Sequence, residues 1–168
     1  MTNNYEPKIY IACLASYNNG ILYGKWIDAN QDASVLEEEI SDILAGSPMA
    51  DAEEWAIHDY DYFDDLRLSD YESLETISQV AENIVERGEL FIEAYKYTNS
   101  IDETIEMLND RFIGYYDSVI DYAEEITDIS TVPQHLQYYI DFESLARDIE
   151  LSGEIHTFEV DNQIAVFF

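Results

Sequence analysis

The stretch HDYDYFDDLRLSDYE, residues 58–72, sets Asp59, Asp61, Asp64 and Asp65 inside one short window. Carboxylates spaced this closely are the raw material of a calcium loop, which wraps a hard cation in oxygen ligands. An EF-hand loop needs Gly at its sixth position and Glu at its twelfth. Counted from Asp59, those positions hold Asp64 and Asp70. The stretch therefore reads as a solvated, mutually repelling cluster, and no metal ligand is nominated. His58, His135 and His156 lie far apart, none in an H-x-x-x-H or H-E-x-x-H arrangement, and the single cysteine, Cys13, leaves a structural zinc site without ligands. No G-x-S-x-G, P-loop or G-x-G-x-x-G occurs, and six glycines leave little material for one. With 37 Asp and Glu in the chain, chance alone places carboxylate pairs everywhere, so a pair carries no information about general acid–base catalysis. The chemistry-bearing residues point away from an enzyme: no catalytic residue and no cofactor is expected.

What the carboxylates do collectively is another matter. Against 37 acids stand 7 Lys and Arg, a formal net charge of −30. Residues 1–84 hold 18 acids and 3 bases, residues 85–168 hold 19 and 4, so each half nets −15. An acidic tail would concentrate its charge in one block; here the charge coats the whole chain. Such a coat repels nucleic acid and anionic membrane, and it selects cations or basic protein surfaces as partners. A groove built to hold DNA is such a surface. Duplex DNA carries one charge per roughly 1.7 Å of axis, so thirty charges correspond to about 51 Å, or about 15 base pairs. A compact globule of this length is only about 40 Å across. Matching the charge density of DNA calls for an elongated body, such as several small units in a row. Bulk solvation is the alternative: a generally acidic soluble protein, adapted to high salt or binding cations. Its frequent Ile, Tyr and Phe suit an ordinary core better than a salt-weakened one.

The elements that must carry this charge are α+β in pattern. Apolar residues make up 47% of the 168, enough for a core, and no run is long enough to span a bilayer. The N-terminus lacks a basic leader and cleavage site, and Cys13 sits in an apolar run that suggests a small buried side chain, so a cytoplasmic protein is expected. KIYIACLASY and ILYGKWIDA read as strands joined by a tight NNG hairpin, and EWAIHDYD as a third strand returning to them. Between them, Leu36, Ile40, Ile43 and Leu44 mark a helix capped at Asp32 or Ser34 and stopped by Gly46 and Pro48. A Ser69/Glu72 capping box predicts a helix to Gly88, ELFIEAYKYT a short one, and Ser100/Glu103 opens a helix through Ile101, Ile105, Leu108 and Phe112. Gly114 interrupts it, and YYDSVIDYAEEI resumes a helical pattern. PQHLQYYI and DFESLARDIELSG, capped by Asp141 and stopped by Gly153, read as two more helices; Arg147 and Asp148 suit an ion-pair or capping role. EIHTFEV and QIAVFF form a closing hairpin around Asp161-Asn162. The expected division is 1–61, an N-terminal α+β domain; 62–103, a helical middle; and 104–168, a C-terminal α+β domain. Tyr115, Tyr116, Tyr122, Tyr138 and Tyr139 fit half-buried helix positions, or an interface, where Tyr is enriched.

KIYIACLASYNNGILYGKWIDA, EEWAIHDYD, FIGYYDSVIDYAEE and YIDFESLARDIELSG resemble the corresponding blocks of the ArdA antirestriction proteins, in the order and spacing of that family. The resemblance implies a protein of mobile genetic elements that acts inside the bacterial host. It implies inhibition of type I restriction-modification enzymes, at the specificity and methyltransferase core, by occupying the DNA groove as a mimic of bent duplex. It also implies a curved chain of three small domains, a homodimer through the C-terminal one, and no cofactor, metal, nucleic acid or membrane. Two copies would carry −60, equivalent to about 30 base pairs. The carboxylates expected to stand in for phosphates are Glu37, Glu38, Glu39, Asp42, Asp59, Asp61, Asp64, Asp65, Asp70, Glu72, Glu75, Glu82, Glu86, Glu103, Glu106, Asp110, Asp117, Asp121, Glu124 and Glu125. The block around Gly114 nominates Phe112, Tyr115, Tyr116 and Tyr122 for the dimer contact.

Overall fold

The computed structural model describes residues 4–168; the expectation about an N-terminal leader rests in part on residues 1–3, which lie outside them. The chain divides into two compact units, Met1–Ile92 and Glu93–Phe168. Each is built on a three-stranded antiparallel sheet with helices packed around it, so the fold class is α+β as the sequence predicts.

In the first unit, β1 (Lys8–Cys13) is the middle strand, flanked by β2 (Gly24–Asp28) and β3 (Trp55–Asp61). Ile9, Ile11 and Cys13 expose no surface. β3 returns to β1 as expected, with Tyr10 opposite Asp59 and Ile11 opposite Ile57, which leaves His58 as a bulge. The β1–β2 link is not a tight hairpin. Leu14–Asn18 winds into a helical turn, α1, held by the Asn19 side-chain amide on the Ala15 carbonyl and by buried Ser16, whose hydroxyl lies 3.0 Å from that of Ser47. Those polar anchors override the hairpin preference of Asn18-Asn19-Gly20, and the strands are joined by a longer arch. Only Gly fits at the start of β2, because a Cβ at residue 24 would lie 2.3 Å from the Ile11 carbonyl oxygen. α2 (Ala33–Ala45) packs Leu36, Ile40 and Ile43 on the sheet. α3 (Leu74–Arg87) packs Ile77, Val80, Ala81 and Ile84 beside it, with the Ser78 hydroxyl donating to the Gln31 carbonyl at 2.8 Å. The α3 cap is Ser73, whose Oγ accepts the Thr76 N–H at 3.1 Å, not Ser69. The Ser69 hydroxyl instead accepts from the Tyr71 N–H within a turn.

The unit boundary falls inside α4 (Glu89–Thr98). α5 (Ile101–Glu106) begins at the Ser100 cap as predicted. Its expected continuation to Phe112 fails. Met107–Arg111 widens into a π-helical turn that buries both Met107 and Leu108, and Phe112–Tyr116 leaves it as strand β4. An Ile and three aromatics around a Gly favour a pleated surface over a helix, and pairing with β6 satisfies their backbone. α6 (Val119–Ile126) follows a Ser118 cap; PQHLQYYI forms a 3-10 segment, Gln134–Tyr139. α7 (Phe142–Ser152) has the predicted Asp141 cap and ends at Gly153 with φ 73°, a left-handed stop. The closing hairpin pairs β5 (His156–Val160) with β6 (Gln163–Phe167), giving the order β4-β6-β5. Asp161 and Asn162 both take positive φ, as a primed turn requires. Tyr122, Ile155 and Val166 form the centre of this core.

Two outcomes test these caps. Ser73→Ala should lower unfolding stability in urea by about 1 kcal/mol, and Ser69→Ala by less than about 0.5 kcal/mol. The Asp141 carboxylate accepts the Ser144 N–H at 3.0 Å and the Ser144 hydroxyl at 2.8 Å, which holds its pKa below the usual Asp value. A carboxyl depressed in the folded state stabilises above its unfolded pKa, near 3.9, and loses that contribution as pH falls through the folded one. The stability gap between wild type and Asp141→Ala, measured by urea unfolding, should be full at neutral pH and shrink as pH falls below about 4.

Candidate functional site

Burying an ionised carboxylate without a partner costs several kcal/mol. With 7 bases for 37 acids, at least 30 carboxylates have no base of their own. The fold answers by keeping all of them at the surface. None of the 37 is buried; Glu39, Glu72, Glu89 and Glu93 are half-buried and the rest exposed. By unit the balance is 20 acids to 4 bases and 17 to 3, nets of −16 and −14. Two of the bases, Lys8 and Lys96, pair with Glu6 and Glu93 at 3.3 and 2.8 Å.

Local geometry turns each acid outward. In residues 58–72, Phe63 and Leu66 plug into the core at 1% and 6% exposure, and their burial leaves Asp64 and Asp65 facing water. On β3 the His58 bulge shifts the alternation, so that Tyr60 turns toward Phe63 while Asp59 and Asp61 point out. The carboxylates of Asp59 and Asp61 accept the N–H of the next residue at 2.9 and 3.0 Å. On α2 the buried stripe leaves Glu37, Glu38 and Asp42 in water, while Glu39 accepts from the Gln31 amide at 3.2 Å. On α3, Glu75, Glu82 and Glu86 fall at i, i+7 and i+11, one stripe opposite the core. Like charges four apart, as at Glu82 and Glu86, cost a few tenths of a kcal/mol. Asp70 is exposed in the turn before α3 and Glu72 is half-buried there.

In the second unit, Glu103 and Glu106 share the wet side of α5 and Asp110 projects from the π turn. Asp117 accepts from the Gln163 amide, Asp121 bonds the Ser118 cap, and Glu125 accepts the Tyr116 hydroxyl at 3.2 Å; Glu124 faces water beside it. Fifteen further acids are equally exposed, among them Glu53, Glu54 and, last, Glu143 and Glu150. The periodicity of α7 around Ala146 was the available signal for the last two.

The four aromatic nominees occupy different environments. Tyr122 is a core residue at 8% exposure, its ring 5.2 Å from that of half-buried Tyr116. Burial and the Glu125 hydrogen bond push the Tyr116 phenol above its ordinary pKa. Phe112 stacks between Tyr115 and Phe167 at 5.1 and 5.2 Å, and only Tyr115 is well exposed, at 45%. Tyr138 and Tyr139, expected to be half-buried, are 93% and 82% exposed, because the 3-10 segment leaves no face of that turn against the core.

Among the described residues no cluster of His, Cys, Asp and Glu gathers to hold a metal, and no helix is long and apolar enough to cross a membrane. Cys13 has no exposed surface, its Sγ 3.4 Å from the Ser47 hydroxyl.

Comparison with curated proteins finds no match. The family described as "Antirestriction protein (ArdA)" matches residues 9–162, which covers all but the ends of a 168-residue chain. The chain belongs to the ArdA antirestriction family, a family of inhibitors of restriction-modification enzymes rather than of catalysts.

Proposed function

We propose that this antirestriction protein works as a mimic of duplex DNA, occupying the DNA groove in the specificity and methyltransferase core of type I restriction-modification enzymes in the bacterial cytoplasm. The observation that carries this reading is the surface placement of all 37 acids against only 7 bases. One helical stripe is not enough by itself. Carboxylates at i, i+7 and i+11 lie about 6–10 Å apart along the axis, sparser than one charge per 3.4 Å on a DNA strand. Mimicry therefore requires several elements to contribute together: α2, β3 and α3 in the first unit, α5 and α6 in the second. An elongated arrangement of three small domains belongs to the proposal.

The working form is a homodimer. Two bodies of −30 repel, so contact favours apolar and aromatic surface. The second unit offers such side chains at Tyr115, beside Asp161, on edge strand β4 and at Leu136, Tyr138 and Tyr139, all exposed. Of the aromatic nominees, Tyr115 is the one to meet a partner; Phe112, Tyr116 and Tyr122 support it from within.

Binding built from many screened contacts makes single residues dispensable. In competition with duplex DNA for a purified type I methyltransferase core, the protein should displace DNA, less strongly as salt rises. At about 0.5 kcal/mol per exposed contact, one Glu→Gln change should weaken competition about twofold. Glu38→Gln, Asp42→Asn, Glu75→Gln, Glu82→Gln and Glu86→Gln together should weaken it about 70-fold. Failure to displace DNA, or loss of inhibition from one folded single variant, would overturn the mimic. Screening also relieves self-repulsion: the melting temperature should rise between about 0.01 and 0.1 M salt, where the Debye length falls from about 30 to 10 Å. The protein should still be folded at the lower value; unfolding there would mark a salt-adapted protein instead.

A further inference from the structure

In the first unit the start of β3, the first turns of α2 and α3, and the segment before α3 enclose an open cleft of about 830 Å³. Its frame is fixed by main-chain bonds: the Leu14 N–H donates to the Glu54 carbonyl at 3.0 Å and the Ile57 N–H to that of Asp70 at 2.9 Å. Two aromatic side chains face it, half-buried Trp55 and Tyr71, which is 71% exposed, with Leu14 and Leu74 adding apolar wall. Glu37, Glu53, Glu54, Glu72 and Glu75 line it too, and no Lys or Arg does.

This combination selects its occupant. The charge excludes anions. The carboxylates surround a space far larger than an ion and do not gather as ligands of one. Aromatic faces beside carboxylates suit a flat, weakly hydrated cation that stacks with its face and hydrogen-bonds with its edge. A guanidinium does both; an ammonium is a compact, strongly hydrated point charge.

We infer that this cleft receives an arginine side chain from the DNA-binding groove of the target enzyme. The inference rests on the proposed DNA mimicry, because such grooves contact phosphates through arginine and lysine. It departs from that reading in one respect. Most carboxylates here meet solvated partners, whereas an arginine in this cleft is partly desolvated and held against rings, so this site outweighs an equal number of acids elsewhere.

Trp26 and Trp55 are the two tryptophans of the chain, so Trp26→Phe makes Trp55 the sole indole reporter. In that background, an acetylated tetra-arginine peptide at about 0.15 M salt should change Trp55 emission saturably, with tetra-lysine at least about tenfold weaker. Glu37→Gln with Glu75→Gln should weaken the arginine response about tenfold, and Glu143→Gln with Glu150→Gln on α7 less than about twofold. The same two pairs should separate in the same order in competition with DNA for the methyltransferase core. Equal losses from both pairs, equal response to lysine, or unchanged Trp55 emission would each overturn the cleft. Failure of the wild type to displace DNA tells against the mimicry instead, and the two failures are read in separate experiments.

Discussion

Repulsion among ionised carboxylates is the constraint to which this chain is folded. An acid can leave water only if it meets a base, and the chain has too few bases to offer that route. Each Asp or Glu must therefore stand in solvent, and each element must find its buried side chains from what remains. The result is a set of narrow apolar stripes: Leu36, Ile40 and Ile43 on α2, Ile77, Val80 and Ile84 on α3, Ala146 alone fully buried on α7. Tyr and Phe carry much of the rest, because a single aromatic ring contributes a large buried area. In the second unit Phe112 and Phe158 each meet the ring of Phe167, and Tyr116 meets that of Tyr122.

The same constraint shapes how the acids are held. With 7 bases in the chain, ion pairs cannot fix most of them. Many are placed instead by a buried neighbour one or two positions away, as Phe63 and Leu66 place Asp64 and Asp65. A carboxylate set in this way has a defined anchor and a head held at the surface. That suits a surface meant to be read by its field, since a phosphate backbone is likewise recognised by charge and position more than by fine contacts.

Elements with a clean period were legible in the sequence: α2, α3 as a helix, α7 with its Asp141 and Gly153 ends, and the hairpin around Asp161-Asn162. Those that failed did so because a tertiary contact outweighed a local preference. Ser16 reaching Ser47 turns LASYN into a helical turn where the strand pattern continued. Phe112–Tyr116 continues a helical stripe on paper but pairs with β6, a partner some fifty residues away that no local pattern announces. The exposure of acids was legible from charge alone. The environment of aromatics was not: Tyr122 and Tyr138 both fit a helical period, yet one is core and the other almost wholly in solvent. The cleft before α3 was equally hidden, since it joins Trp55 to Tyr71 and Glu37 across three elements.

Cys13 closes the central strand of the first sheet with its sulfur sealed from solvent against Ser47. Being the sole thiol of the chain, it acts as a built-in timer. An alkylating reagent can reach it only when its cover opens, whether β1 parts from its neighbours or the Ser47 segment lifts, so the labelling rate counts openings around that strand.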